Sequence, residues 1–249
     1  MAAAIDPATR RELHYGSRVV DCFVDRPSDI HAMLEAAVAA RPDAEALVCG
    51  ELRFTWAQLD EEVRRLSAAL HAEGVGPGDR VALLLGNDAP FVVLTYAVAR
   101  LGAILVPLSL RDQTPGLRHA LVQSGAKLLI CEPEAAAIVP PPEETPALVR
   151  RFALGKVDGF CNYHRLLGAD PEAAPPPARP DEEAVATILY TSGTTGVPKG
   201  AMLTHLGIVH SASAFASFMD SRPGDREGVI APLSHVTGLV GGVHKAVRA

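Results

Sequence analysis

The residues best suited to chemistry lie between Ile188 and Gly200. A short apolar run, Ile188-Leu189-Tyr190, breaks into Thr191-Ser192-Gly193-Thr194-Thr195-Gly196-Val197-Pro198-Lys199-Gly200. Glycines accept positive φ and leave backbone amides uncovered, so several N–H groups can converge on one anion. Thr191, Ser192, Thr194 and Thr195 add hydroxyl donors, and Lys199 adds a charge suited to a phosphate oxygen. Gly200 lets the chain leave the turn without a side-chain clash. A flexible linker would rarely sit between two apolar segments or stop at Pro-Lys-Gly. A Walker A loop needs G-x-x-x-x-G-K followed by Ser or Thr, whereas here Pro198 precedes the lysine and Gly200 follows it. A nucleophile elbow, G-x-S-x-G, fails at Ser192 because residue 190 is tyrosine. What remains is a phosphate cradle.

A second cluster is Pro232-Leu233-Ser234-His235-Val236-Thr237-Gly238. Taken alone, His235 would be read as a core or capping histidine. His205 and His210 are five apart on an expected helix, the wrong spacing for one face and one metal. Nothing in their spacing makes a catalytic pair of Asp158 and His164. Cys22, Cys49, Cys131 and Cys161 show no C-x-x-C pattern, which argues against zinc or a disulfide framework and for a reducing, cytoplasmic setting.

Several elements must hold these groups. Ala184 to Leu189 reads as a buried strand leading into the loop, and Ala201-Met202-Leu203 can pair back as another. Thr204 can cap the helix after it. Upstream, Ser28 or Asp29 starts a helix through Ala40, and residues 46–54 form a hairpin turning at Gly50-Glu51. Thr55 caps a helix to about His71, with Leu59, Val63, Leu66 and Leu70 on one stripe. Then strands and helices alternate. Arg80–Leu85, Ala103–Val106 and Lys127–Cys131 read as strands, with helices from Asn87 or Asp88 to Leu101 and from Thr114 to Gln123. That order implies an α/β fold, parallel-sheet layers flanked by helices. Residues 1–27 read as an irregular lead-in. Residues 133–183, bracketed by two proline triplets, read as surface connection. Gly228–Ala231 reads as one more strand.

The chain has 249 residues, 48% of them hydrophobic and 21% charged, which places it among globular proteins rather than disordered ones. Its net charge of −6 gives no support for nucleic acid as the main partner. The N-terminal stretch lacks the apolar core of a signal peptide. The longest apolar region, Phe91 to Val106, is interrupted by Arg100 and Gly102 and falls short of the roughly 20 residues of a membrane span.

The Thr191–Gly200 stretch resembles, almost letter for letter, the phosphate-binding signature of the AMP-forming adenylating enzymes, the superfamily of acyl-CoA synthetases and other AMP-dependent ligases. Phe54-Thr55-Trp56-Ala57-Gln58-Leu59 is similar to its early aromatic-Thr/Ser-aromatic-x-x-Leu motif, and Arg100 to Leu108 to its Gly-Ala-x-x-x-Pro-Leu/Ile segment. Pro232 to Gly238 resembles its Pro-Leu/Met-aromatic-His-x-x-Gly turn, except that Ser234 replaces the usual aromatic residue.

The resemblance implies the first part of the large N-terminal domain of an acyl-CoA synthetase-like fold. Residues 28–249 would be an incomplete AMP-binding (adenylation) domain without the C-terminal lid domain, which a separate chain could supply. The implied reaction attacks the α-phosphate of Mg2+-bound ATP with a carboxylate, fatty or aryl, and then passes the acyl group from AMP to CoA. Thr191, Ser192, Gly193, Thr194, Thr195, Gly196 and Lys199 would hold the β- and γ-phosphates. His235, the catalytic candidate, would border the acyl pocket near ATP. The alternative is a non-catalytic fragment of that fold that binds a nucleotide or a partner.

Overall fold

The computed structural model describes residues 8–191 and 198–249. In chain order its elements are β1 (Thr9–His14), β2 (Arg18–Phe23), α1 (Ile30–Ala40), β3 (Glu45–Cys49), β4 (Leu52–Thr55) and α2 (Trp56–Ala72). Next come β5 (Arg80–Leu84), α3 (Ala89–Arg100), β6 (Ile104–Pro107), α4 (Thr114–Ser124) and β7 (Leu128–Cys131). The rest comprises β8 (Arg150–Ala153), β9 (Cys161–Asn162), β10 (Val185–Thr191), β11 (Lys199–Thr204) and α5 (His205–Phe218). At the end α6 (Val236–Gly238) passes through a π-helical stretch (Leu239–His244) into α7 (Lys245–Arg248).

Local chemistry sets most helix starts. The Asp29 carboxylate accepts the Ala32 amide at 2.8 Å, and Asp88 accepts that of Ala89 at 2.7 Å. Thr55 and Gln58 form a reciprocal capping box at the head of α2, and Thr204 accepts the Gly207 amide ahead of α5. The α2 stripe of Leu59, Val63, Leu66 and Leu70 is fully buried, each side chain contributing roughly 1.5–3 kcal/mol of transfer free energy.

Seven strands form the main sheet in the order β11-β10-β6-β5-β7-β8-β9, every pair parallel except β10 with β11. Alternation along the inner strands feeds two cores. Val81 and Leu83 of β5 and Leu128 and Ile130 of β7 face α1, α2 and α3, while Ala82, Leu84, Leu129 and Cys131 face α4. Both sheet faces are therefore covered, as a parallel sheet requires. β6 and β7 flank β5 on opposite sides, and their crossover helices lie on opposite faces. The strand order thus reverses at β5, the kind of point where α/β sheets open a crevice beyond the carboxyl ends of their strands.

Three expectations need correction. Residues 1–27 are not irregular throughout. Residues 9–23 form the β1–β2 hairpin, turning through Tyr15 at φ 51° and Gly16 at φ 77°. Its strand β1 is mostly charged, so no apolar alternation announces it. Arg26 secures it instead, donating to Glu12 and to Glu182 just ahead of β10. Residues 133–183 do more than connect. They add β8 and β9 to the sheet edge and bury Phe152 completely. Gly228–Ala231 is not a strand. No ladder partner is placed beside it among the described residues, and Asn87 substitutes for one. Its side-chain amide donates to the carbonyls of Val229 (3.3 Å) and Ala231 (2.9 Å), and its oxygen accepts the Leu233 amide at 2.9 Å.

Candidate functional site

Thr191 and Lys199, the two ends of the expected phosphate loop, fall at the end of a pair of strands. β10 and β11 pair antiparallel from Val185↔Thr204 to Thr191↔Lys199. Thr191 and Lys199 therefore stand opposite each other at the mouth of the stem, both exposed, at the end where the parallel strands finish. Ser192, Gly193, Thr194, Thr195 and Gly196 lie outside the described residues. The expected return strand at Ala201–Leu203 is present within β11.

Gly200 has a specific reason to be glycine. A Cβ there would sit 2.8 Å from Ile188 Cγ2 and 3.2 Å from Tyr190 Cζ, because the Tyr190 ring lies across its cross-strand partner. Space, not positive φ, sets the requirement. The same tyrosine ties the stem to α4, its hydroxyl donating to the Ala120 carbonyl at 3.1 Å. Partial burial pushes that hydroxyl's pKa up, so it remains a donor. One residue earlier on α4, His119 Nε2 lies 2.9 Å from the Pro198 carbonyl, and its ring meets Tyr190 edge-on at 6.2 Å.

His235 is exposed, just ahead of α6, and its side chain makes no capping bond. Gly238 explains the His-x-x-Gly spacing in steric terms. A Cβ at 238 would come within 2.5 Å of the Ala231 oxygen and closer still to that of Pro232, so only glycine lets the helix start fold onto the preceding turn. The His235 amide closes that turn onto Pro232 at 3.0 Å. Beyond β6, Asp112 accepts the Ser109 amide at 3.2 Å. Burial raises the Asp112 pKa, and the bond from the Ser109 amide opposes the shift. The bond from the Leu233 amide to Asn87 ties the turn ahead of His235 to the residues just after β5, near the point where the strand order reverses.

Three residues of this region escaped the sequence reading. None carries a motif of its own: Asn87 reads only as a possible helix start, Asp112 accepts the amide of its near neighbour Ser109, and the partner of His119 lies 79 residues onward. The only prior signal was their place just after β5, just after β6 and on the helix that follows.

A cavity of about 510 Å3 lies elsewhere. It opens between β3, the start of α3, residues 221–229 and α7, and is lined by Trp56, Cys49, Asp88 and Lys245 among others. Thr191, Lys199 and His235 do not line it. Inside it Cys49 donates to Asp88 at 3.0 Å and Lys245 pairs with Glu227 at 2.5 Å, so its charged groups already have partners. Thr191 and Lys199 therefore sit at the sheet edge and not in this cavity.

The family model described as AMP-binding enzyme matches residues 34–248. The chain belongs to the AMP-binding enzyme family. A feruloyl-CoA synthase from an Amycolatopsis species is 38% identical over 198 residues, covering 80% of this chain and 38% of that protein. The long-chain-fatty-acid–CoA ligase FadD13 of Mycobacterium tuberculosis is 34% identical over 216 residues, covering 86% of this chain and 42% of its own length. Among solved structures, the inhibitor-bound N-terminal domain of FACL13 from Mycobacterium tuberculosis superposes with a TM-score of 0.76 at 31% identity. It covers 89% of this chain and 55% of the other. The chain thus spans about two fifths of the length of these curated relatives. The α/β architecture with its mostly parallel sheet is that of N-terminal domains of acyl-CoA synthetase-like proteins. No helix among the described residues is long and apolar enough to cross a membrane.

Proposed function

We propose that this chain activates a carboxylic acid by adenylation, with ATP as the nucleotide and CoA as the final acyl acceptor. The observation that carries this reading is the β10–β11 stem, which sets Thr191 against Lys199 at the carboxyl edge of the sheet in a chain of the AMP-binding family. An exposed ammonium and hydroxyl facing each other there fit a polyphosphate. Thr191 and Lys199, with Ser192, Gly193, Thr194, Thr195 and Gly196 between them, hold the β- and γ-phosphates, which in magnesium-bound ATP become the leaving pyrophosphate. Fixed donors of this kind favour the charge that builds on the leaving group and need no reorganisation during transfer. His235, on the turn that Asn87 ties to the end of β5, borders the acid and nucleotide. The names of the relatives support a fatty or aryl acid and the CoA step, and the four free thiols suit a reducing cytoplasm.

A second reading is that these 249 residues bind nucleotide without completing acyl transfer. Acid-dependent ATP–pyrophosphate exchange, followed by thioester formation with CoA, separates the two. Exchange by the purified chain supports the first, whereas binding of ATP with no exchange for any fatty or aryl acid supports the second. Lys199→Ala is expected to weaken ATP binding at least about tenfold, as loss of a charge-assisted contact implies. An unchanged affinity removes Lys199 from the site.

A further inference from the structure

We propose that His119 is a positioning residue for the nucleotide-binding hairpin, acting with Tyr190 to clamp both stems of the loop onto α4. The inference rests on the nucleotide reading above. On the exit stem, a carbonyl can only accept, so the 2.9 Å approach of His119 Nε2 to the Pro198 oxygen requires the proton on Nε2. The Pro198 oxygen and the Lys199 nitrogen belong to one planar peptide unit. Holding that oxygen therefore sets the plane from which the Lys199 side chain departs.

On the entry stem, Tyr190 immediately precedes Thr191 and donates to the carbonyl of Ala120, the neighbour of His119. Two consecutive residues of one helix thus grip the chain on either side of the facing pair Thr191 and Lys199, Tyr190 on the strand side and Pro198 on the loop side. The edge-on contact between the two rings, 85° apart, joins the grips to each other. Among the described residues β11 is an edge strand paired with β10 alone, so its first residues have no second ladder there to steady them. The α4 contact provides that support. His119 is half-buried and bonded to the Pro198 carbonyl, so its effect passes through Pro198 and Lys199.

The test is titration of the 249-residue chain with magnesium ATP and, separately, with inorganic pyrophosphate. The variants are His119→Phe, which keeps a ring but loses the donor, His119→Gln, which keeps an N–H, Tyr190→Phe and Lys199→Ala. Loss of one neutral hydrogen bond at the stem is expected to raise both dissociation constants about three- to tenfold in His119→Phe, with His119→Gln returning most of the affinity. Equal affinities for wild type and His119→Phe overturn the clamp, as do equal losses in the Phe and Gln variants, which would mark a purely structural role. If His119→Phe fails to fold by circular dichroism, Tyr190→Phe asks the same question at the other stem, and an unchanged affinity there overturns the proposal. A wild type that binds neither probe removes the nucleotide reading and the clamp together. A wild type that binds, with Lys199→Ala weakened and His119→Phe unaffected, removes the clamp alone.

Discussion

Acid should destabilise this chain through a buried histidine that holds the His235 segment in place. His244 ends the π-helical stretch that follows Gly238 and is fully buried, its Nδ1 3.0 Å from the Tyr96 hydroxyl of α3 and the two rings perpendicular. Burial, helped by His205, lowers its pKa to about 3. An unfolded histidine titrates near pH 6.5, so on acidification the unfolded chain takes up a proton that the folded chain refuses. Stability from this group is complete above about pH 6.5 and is lost progressively as the pH falls towards 3. Between about pH 7.5 and 5.5 the loss amounts to about 1–2 kcal/mol. His31 and His205, whose pKa values burial also lowers, add losses of the same sign. His14 acts oppositely: burial works against its charged form, but its bonds to Glu183 and Glu12 outweigh that and raise its pKa. Its contribution is therefore present at low pH and lost as pH rises through the folded value. The double variant Tyr96→Phe/His244→Phe isolates one residue from this sum. Replacing both partners by apolar rings of similar shape is nearly neutral at pH 7.5, whereas His244→Phe alone strands a buried hydroxyl at a cost of about 1–3 kcal/mol. Urea unfolding at the two pH values measures the difference. A double variant that loses as much stability on acidification as wild type refutes the reasoning.

Two further outcomes follow from the same region. Gly238→Ala places a methyl against the Pro232 and Ala231 carbonyls and is expected to cost about 1–3 kcal/mol or more, seen as a lower urea midpoint. A midpoint equal to wild type would show that the turn before α6 relaxes freely. Asn87→Ala strips three bonds from residues 229–233 and should cost about 1–3 kcal/mol, with faster protease cleavage in that segment while the β5 core stays protected. Cleavage at the wild-type rate would show that Asn87 does not hold the segment.

Much of this architecture was legible in the residues. Asp29, Thr55 with Gln58, Asp88 and Thr204 start helices through bonds that reach only one to three residues along the chain, so they can be read directly. The apolar runs at β5, β6 and β7 are buried on both faces and announce a covered parallel sheet. The loop from Thr191 to Lys199 identified its family through residue types alone, since amides, hydroxyls and a lysine at that spacing have few other uses. The hairpin stem beneath it was also legible in the apolar return at Ala201–Leu203.

Other features depended on partners far along the chain. β1 is a strand because Arg26 bridges Glu12 to Glu182, a pairing that its own charged residues do not foretell. Gly228–Ala231 has the composition of a strand but no pairing neighbour among the described residues, and the Asn87 side chain takes that neighbour's place. His119 acquires its position only when α4 packs beneath β10 and β11, about 80 residues onward. Capping and periodicity act within a few residues, so sequence alone determined most of the helices and the buried strands. Strand pairing and long-range hydrogen bonds join residues with no local tie, and only the tertiary structure decided that Thr191 faces Lys199 and that α4 holds Tyr190 and Pro198.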